Sequence, residues 1–251
     1  MVMQPDITWI GAHADNYYGT RHGHRPVSIV CHIAEGSLAS VDSWFQNPAA
    51  QASTHYCIGP GGEIHQYVDL NCAPFANGRV ESGATWWGLQ EFPGVNPNYL
   101  TISIETAGKH PDPARGRYYT PTEAQVTAYT HLIAWLCQQY GIRCDREHII
   151  GHYEISPESR PNCPGPNFPF VQIIEGARRL LREDAGMFAD MEGHWARDAV
   201  VRLAQIQLPD GKPFITGRPQ ADGTVLFEPD KPMTRAETAV LFERLLRLIN
   251  R

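Results

Sequence analysis

Runs of lysine and arginine are absent from this 251-residue chain, and its formal charge is −6. Nucleic acid and anionic membrane surfaces are therefore excluded as expected partners. No apolar stretch is long enough to cross a bilayer. The first fifteen residues have neither the basic start nor the continuous apolar stretch of a signal peptide. The expectation is a chain that stays in the cytosol, leaves by another route, or has been processed. The six cysteines, Cys31, Cys57, Cys72, Cys137, Cys144 and Cys163, form no CxxC pair, and six in a chain of this length are no dense disulfide framework. Cys31, Cys57 and Cys137 lie in apolar segments and read as core thiols. Internal repeats and low-complexity tracts are missing too. What is present can build a core: 42% of the residues are hydrophobic and 19% charged, which rules out wholesale disorder. The length suits one large domain, or a medium one and a small one.

Charge places the division. Residues 1–186 hold 12 Lys/Arg and 18 Asp/Glu, whereas residues 187–251 hold 9 of each. Gly186, after a charged helix end, is the expected boundary. In the first part, Val27–Ile33 reads as a buried strand and Ser37–Phe45 as a short helix. Thr54–Ile58 and Glu63–Val68 flank Gly59-Pro60-Gly61-Gly62, a hairpin whose glycines are expected to supply positive φ. Leu100–Glu105 alternates like a strand. Thr120-Pro121-Thr122-Glu123 reads as a capping box with proline at the first helical position. The helix it opens runs to about Tyr140 and stops at Gly141, with Val126, Tyr129, Ile133, Leu136 and Cys137 on one face. His148–Gly151 is a short strand or turn, and Phe170–Arg182 a last helix. Strands interleaved with helices predict an α/β fold, a central mixed β-sheet flanked by helices.

Three side chains suggest chemistry. His32 closes the first strand, His152 follows Ile149-Ile150-Gly151, and Cys163 lies in Pro161-Asn162-Cys163-Pro164-Gly165-Pro166, a stiff loop. Two imidazoles, a thiolate and an open position would suit a catalytic zinc. The spacing alone is not of the kind that declares a metal, and on residues alone a buried histidine is more often a satisfied core residue than a ligand.

The order of the surrounding segments is more specific. Ile29-Val30-Cys31-His32, Ser53–Ile58, Gly61–Gln66, Thr101–Glu105, Gly151–Pro157 and Cys163-Pro164-Gly165 together resemble the zinc-dependent type 2 N-acetylmuramoyl-L-alanine amidases, over about residues 17 to 180. Those enzymes share a fold with peptidoglycan recognition proteins. The resemblance implies a Zn2+ site made by His32, His152 and Cys163, and Glu105 as general base, taking a proton from water and returning it to the leaving amine. The bond cut would join N-acetylmuramic acid to L-alanine of the stem peptide. Many members carry a lysine two residues before the third ligand. Here that residue is Pro161, with Arg160 beside it as candidate to steady the oxyanion. The tyrosine some relatives use is replaced by Thr54. His55 and His65 read as structural in preference to lining the cleft, and His148 as a surface residue or one that supports the ligands from behind. Trp86 and Trp87 are candidate substrate contacts, or else a local loop core.

The last 65 residues, 187–251, carry Phe188-Ala189-Asp190…His194-Trp195-Ala196 and Phe227-Glu228-Pro229…Thr234-Arg235-Ala236-Glu237, with Thr234 and Glu237 as a second capping box. This segment resembles a single S-layer homology (SLH) module, small and helical. That implies binding to a secondary cell-wall polymer, with Trp195 and Arg235 as candidate contacts. Since such modules commonly work in threes, a homo-oligomer that pools them is a further expectation. The expected partner of the whole chain is peptidoglycan, and its expected place of action the bacterial cell wall, as an endolysin or autolysin. Two other readings stand: a recognition protein that binds without hydrolysis, and a cytosolic amidase that recycles muropeptides.

Overall fold

Six consecutive buried residues, Ser28–Ile33, form the strand around which the first unit is built. Such a run, buried on both faces, belongs to the interior of a largely parallel sheet. The computed structural model describes residues 2–185, 188–206, 208, 212–222 and 224–249. The sheet has six strands: β1 (Thr8–Trp9), β2 (Ser28–Ile33), β3 (Tyr56–Ile58), β4 (Ile64–Gln66), β5 (Thr101–Thr106) and β6 (Ile149–Gly151), in the order β1-β4-β3-β5-β2-β6. Only the β3–β4 hairpin is antiparallel; β2 runs parallel to β5 and β6, β3 to β5, and β1 to β4. The predicted mixed sheet is thus present, with helices α1 (Leu38–Gln46), α2 (Glu123–Tyr140) and α3 (Phe170–Ala185) flanking it.

Two details differ from the expected local structure. Helix α2 is capped two residues later than predicted, by Thr122 with Gln125. Gln125 explains the shift, because its buried amide donates to Ile58 O and Ala107 O at 3.0 and 2.9 Å while its oxygen takes the Thr122 N–H. One side chain therefore closes the helix end and pins it to the sheet. Thr122→Ala should cost about 1 kcal/mol, read from urea midpoints at unchanged slope. In the hairpin turn only Gly62 has positive φ, at 91°, and there a Cβ would stand 3.1 Å from the Ala124 carbonyl. The expected apolar face of α2 is buried as read, and the helix ends on Gly141 at φ 66°.

The chain divides into two units, Met3–Arg178 and, mainly, Arg179–Arg251, so the division falls within α3. The expected boundary, Gly186, lies outside the described residues. The second unit holds α4 (Arg197–Gln205), α5 (Arg235–Ile249) and a two-stranded ribbon pairing Arg218–Pro219 with Val225–Leu226. Its core gathers Phe188, Met191 and Val200 against Ile215, Val225 and Phe227. Asp190 accepts the Phe227 and Glu228 N–H groups at 2.8 and 2.6 Å, so the two sequence signatures of this segment are tied to each other. The Thr234–Glu237 box forms as read, with both reciprocal hydrogen bonds made.

Candidate active site

Parallel pairing brings the site together. In the β2–β5 ladder His32 stands opposite Glu105, and in the β2–β6 ladder Cys31 stands opposite Gly151, so His152 follows next to His32. All three are near the carboxyl ends of parallel strands, where open α/β sheets bind ligands. The turn bearing His152 is held by Glu154, whose Oε1 accepts the Gly151 N–H at 2.8 Å and Arg146 at 2.7 Å. Cys163 arrives on its loop, tied by its carbonyl to the Tyr153 N–H at 3.2 Å. Its Sγ accepts the Ile33 N–H at 3.4 Å.

The Nδ1 atoms of His32 and His152 are 3.0 Å apart, and Cys163 Sγ is 3.9 Å from His32 Nδ1. One donor atom from each residue lies within 4.8 Å of the others, and all three residues are buried. A tetrahedral zinc with ordinary bond lengths would separate two nitrogens by about 3.3 Å and sulfur from nitrogen by about 3.6 Å. The donor set fits. His152 Nε2 faces the Asn77 carbonyl at 3.0 Å and so carries the ring proton, which leaves Nδ1 free as a lone pair. Burial, with some repulsion from Arg160, pushes both imidazoles below their ordinary pKa and keeps them neutral, as ligands must be. Burial, then the Glu105 charge, pushes the Cys163 thiol up, while the Ile33 N–H favours its thiolate. Among the described residues a second group, Asp145, Glu147 and His148, also clusters. There Arg143 already pairs with both carboxylates, at 3.1 and 3.8 Å.

His32, His152 and Cys163 face a cleft of about 800 Å³ that is also lined by Glu35, Trp44, Glu105, His110, Arg160 and Pro161. Glu105 Oε2 is enclosed and has no hydrogen-bond partner. Burial raises the carboxyl to about 8, against a smaller opposing pull from Arg160. A carboxylate near neutrality can both take and return a proton. Arg160 is exposed at the rim, and its charge reaches His32, His152, Cys163 and Glu105.

The other expected residues fall elsewhere. Trp86 is 2% exposed and donates its indole N–H to Ser28 Oγ at 3.0 Å. Trp87 packs on His148 and Phe92, with ring centroids 5.0 and 6.3 Å away. Trp86 belongs to the core with Val30, Leu100 and Ile150, and the partly buried Trp87 packs against it, so for Trp86 the expectation of substrate contact gives way to the loop-core reading. The surface of Trp86 is spent on apolar burial and offers no face to a sugar ring. His55 is wholly buried, with Nδ1 accepting the Ser103 N–H at 3.0 Å, and His65 pairs with Asp42 at 2.9 Å. His148 pairs with Asp145 at 2.7 Å, and Thr54 donates to Ser103 O. The residues that sequence reasoning missed are Trp44, half exposed on the cleft wall, and His110, which is buried beside Glu35 and reaches Asn162 O at 2.8 Å. In the second unit Trp195 is 91% exposed and Arg235 is exposed, without an ion pair among the described residues.

The profile of the N-acetylmuramoyl-L-alanine amidase family matches residues 22–166, which include His32, Glu105, His152, Arg160 and Cys163. N-acetylmuramoyl-L-alanine amidase A of Achromobacter lyticus is 29% identical over 191 residues, covering 68% of this chain and 94% of that protein. The solved structure of an AmpD derivative superposes with a TM-score of 0.54 at 20% identity, covering 71% of this chain and 96% of that one. The second likeness speaks to the fold.

Proposed function

The chain belongs to the N-acetylmuramoyl-L-alanine amidase family, and we propose that it is a zinc-dependent hydrolase of peptidoglycan, working as an endolysin or autolysin. The bond cut is the amide between N-acetylmuramic acid and the L-alanine of the stem peptide. The observation that carries this reading is the convergence of three buried donor atoms within 4.8 Å beside an unpartnered carboxylate in one cleft. His32, His152 and Cys163 would hold the metal. Zinc, when bound, supplies Lewis acidity, making water a stronger acid and a carbonyl a better electrophile. Glu105 takes the proton of the attacking water and returns it to the departing alanine nitrogen. Arg160 stabilises negative charge developing on the carbonyl oxygen. A recognition protein without hydrolysis needs neither the full donor set nor the enclosed carboxylate, and both are present here.

Residues 187–251 act, in this proposal, as a single SLH module that holds the enzyme on a secondary cell-wall polymer. The exposure of Trp195 and Arg235 supports it, since a contact residue must be reachable. Trp195→Ala should lower retention on purified cell walls by roughly tenfold, the loss of one stacking side chain. Hydrolysis of short soluble muropeptides should not change. The direct test of the activity is digestion of purified peptidoglycan with mass analysis of the products. New free N-termini on L-alanine, with one zinc per chain, are expected; cleavage at a sugar–sugar bond, or none, would refute the assignment.

A further inference from the structure

Asn77 is fully buried between the two candidate ligand histidines and makes hydrogen bonds with nearly all of its polar atoms. Its N–H donates to Asn98 Oδ1 at 2.9 Å. Its carbonyl accepts His152 Nε2 at 3.0 Å and Ser156 Oγ at 3.2 Å. Its Nδ2 donates to Thr101 Oγ1 at 2.8 Å. The orientation of the amide follows from the last contact. Thr101 gives its own hydroxyl proton to Pro97 O at 2.9 Å, so its oxygen can only accept from Asn77, and the NH2 must be on that side. Asn77 Oδ1 therefore faces the other way.

That oxygen is buried without a partner, and so is Nε2 of His32. Two such orphans would each cost free energy unless they answer one another. Their chemistry is complementary. His32 turns Nδ1 toward His152 Nδ1 and the donor set, so its ring proton belongs on Nε2, a donor. Asn77 Oδ1 is an acceptor, and the Asn77 side chain lies near enough to favour the protonated His32 ring, opposing the effect of burial. We infer that Asn77 is a positioning residue that fixes both ligating imidazoles as Nε2–H tautomers, His152 through its backbone carbonyl and His32 through its side-chain oxygen. Both rings then offer Nδ1 to the metal. One residue, anchored by Asn98 and by Thr101 at the start of β5, sets the tautomer of two ligands, one on β2 and one on the turn that follows β6. This inference rests on the metal reading of His32, His152 and Cys163.

The test combines zinc affinity, by competition with a chromophoric chelator, and 15N spectra of histidine-labelled full-length protein. In the zinc-loaded wild type both ligand histidines should show metal-shifted Nδ1 and protonated Nε2, with the His32 Nε2–H slow to exchange. Asn77→Ala should bind zinc about 10- to 100-fold more weakly and exchange that proton faster, whereas Asn77→Asp, which keeps an acceptor oxygen, should recover most of the affinity. Zinc on Nε2 of either histidine would overturn the inference, as would folded Asn77→Ala with affinity within about twofold of wild type. Should Asn77→Ala fail to fold, the wild-type spectrum decides alone. A wild type that takes up no zinc would overturn the metal reading itself, an outcome distinct from a loaded wild type matched by a loaded Asn77→Ala.

Discussion

Glu105→Gln is expected to lower kcat for release of L-alanine-terminated peptides by about 10²- to 10⁴-fold, the contribution of a positioned general base, with zinc content unchanged. The amide keeps the size of the side chain and removes its ability to take a proton. Glu105 sits across the ladder from His32 rather than in the donor set, which is why metal and activity should separate. Retained activity with retained zinc would assign the proton transfer elsewhere in the cleft. The same substitution carries a stability signature in the metal-free protein. There the folded chain holds the Glu105 proton up to about pH 8, against an ordinary value of 4.5. Between those values the native state binds a proton that the unfolded state has released, so wild-type stability declines as pH rises through that window. The amide of the variant does not titrate. Metal-free Glu105→Gln should accordingly exceed wild type by on the order of a few kcal/mol at pH 8 and by little near pH 4, measured as urea midpoints.

His152→Ala is expected to abolish both zinc retention and hydrolysis. Loss of an outer hydrogen-bond partner of a metal ligand costs roughly 10- to 100-fold in affinity, and loss of a ligand itself should cost more. The variant should emerge from purification without zinc, and its activity should not return at zinc concentrations that saturate the wild type. Cys163→Ala should behave alike. A His152→Ala protein that retained one zinc per chain would place the metal elsewhere. Far-UV circular dichroism separates these outcomes from misfolding, since the sheet owes its core to residues such as Ile29, Ile102 and Ile149 rather than to the donor set.

What the sequence disclosed follows the range of the interactions involved. Strand β2, helix α2 with its stop at Gly141, and the hairpin were readable because their signals are local: a β-branched run, an apolar face, a turn. The α2 cap was misread by two residues because Gln125 is chosen by acceptors on β3 and after β5, remote in sequence. His32, His152 and Cys163 were singled out from their segments, yet only the β2–β6 pairing and the loop return bring them within reach of each other. Trp86 and Trp87 look alike in sequence whether they stack on sugar or fill a core, and the hydrogen bond to Ser28 that decides for Trp86 spans 58 residues. Asn77 gave no signal at all. Half of its part is played by a backbone carbonyl, which every residue possesses.

The three donors are mounted unequally. His32 lies within a strand paired on both sides, and His152 follows directly on another, whereas Cys163 is carried by a loop whose residues 158–161 are exposed. Openings of such a loop require far less free energy than separation of central strands. Metal exchange should therefore be sequential, the sulfur letting go first while the imidazoles keep hold, and its rate should be set by the loop alone. A protease that nicks residues 158–161 would then gauge occupancy: the thiolate, by gripping the ion, braces the segment that would otherwise be cut.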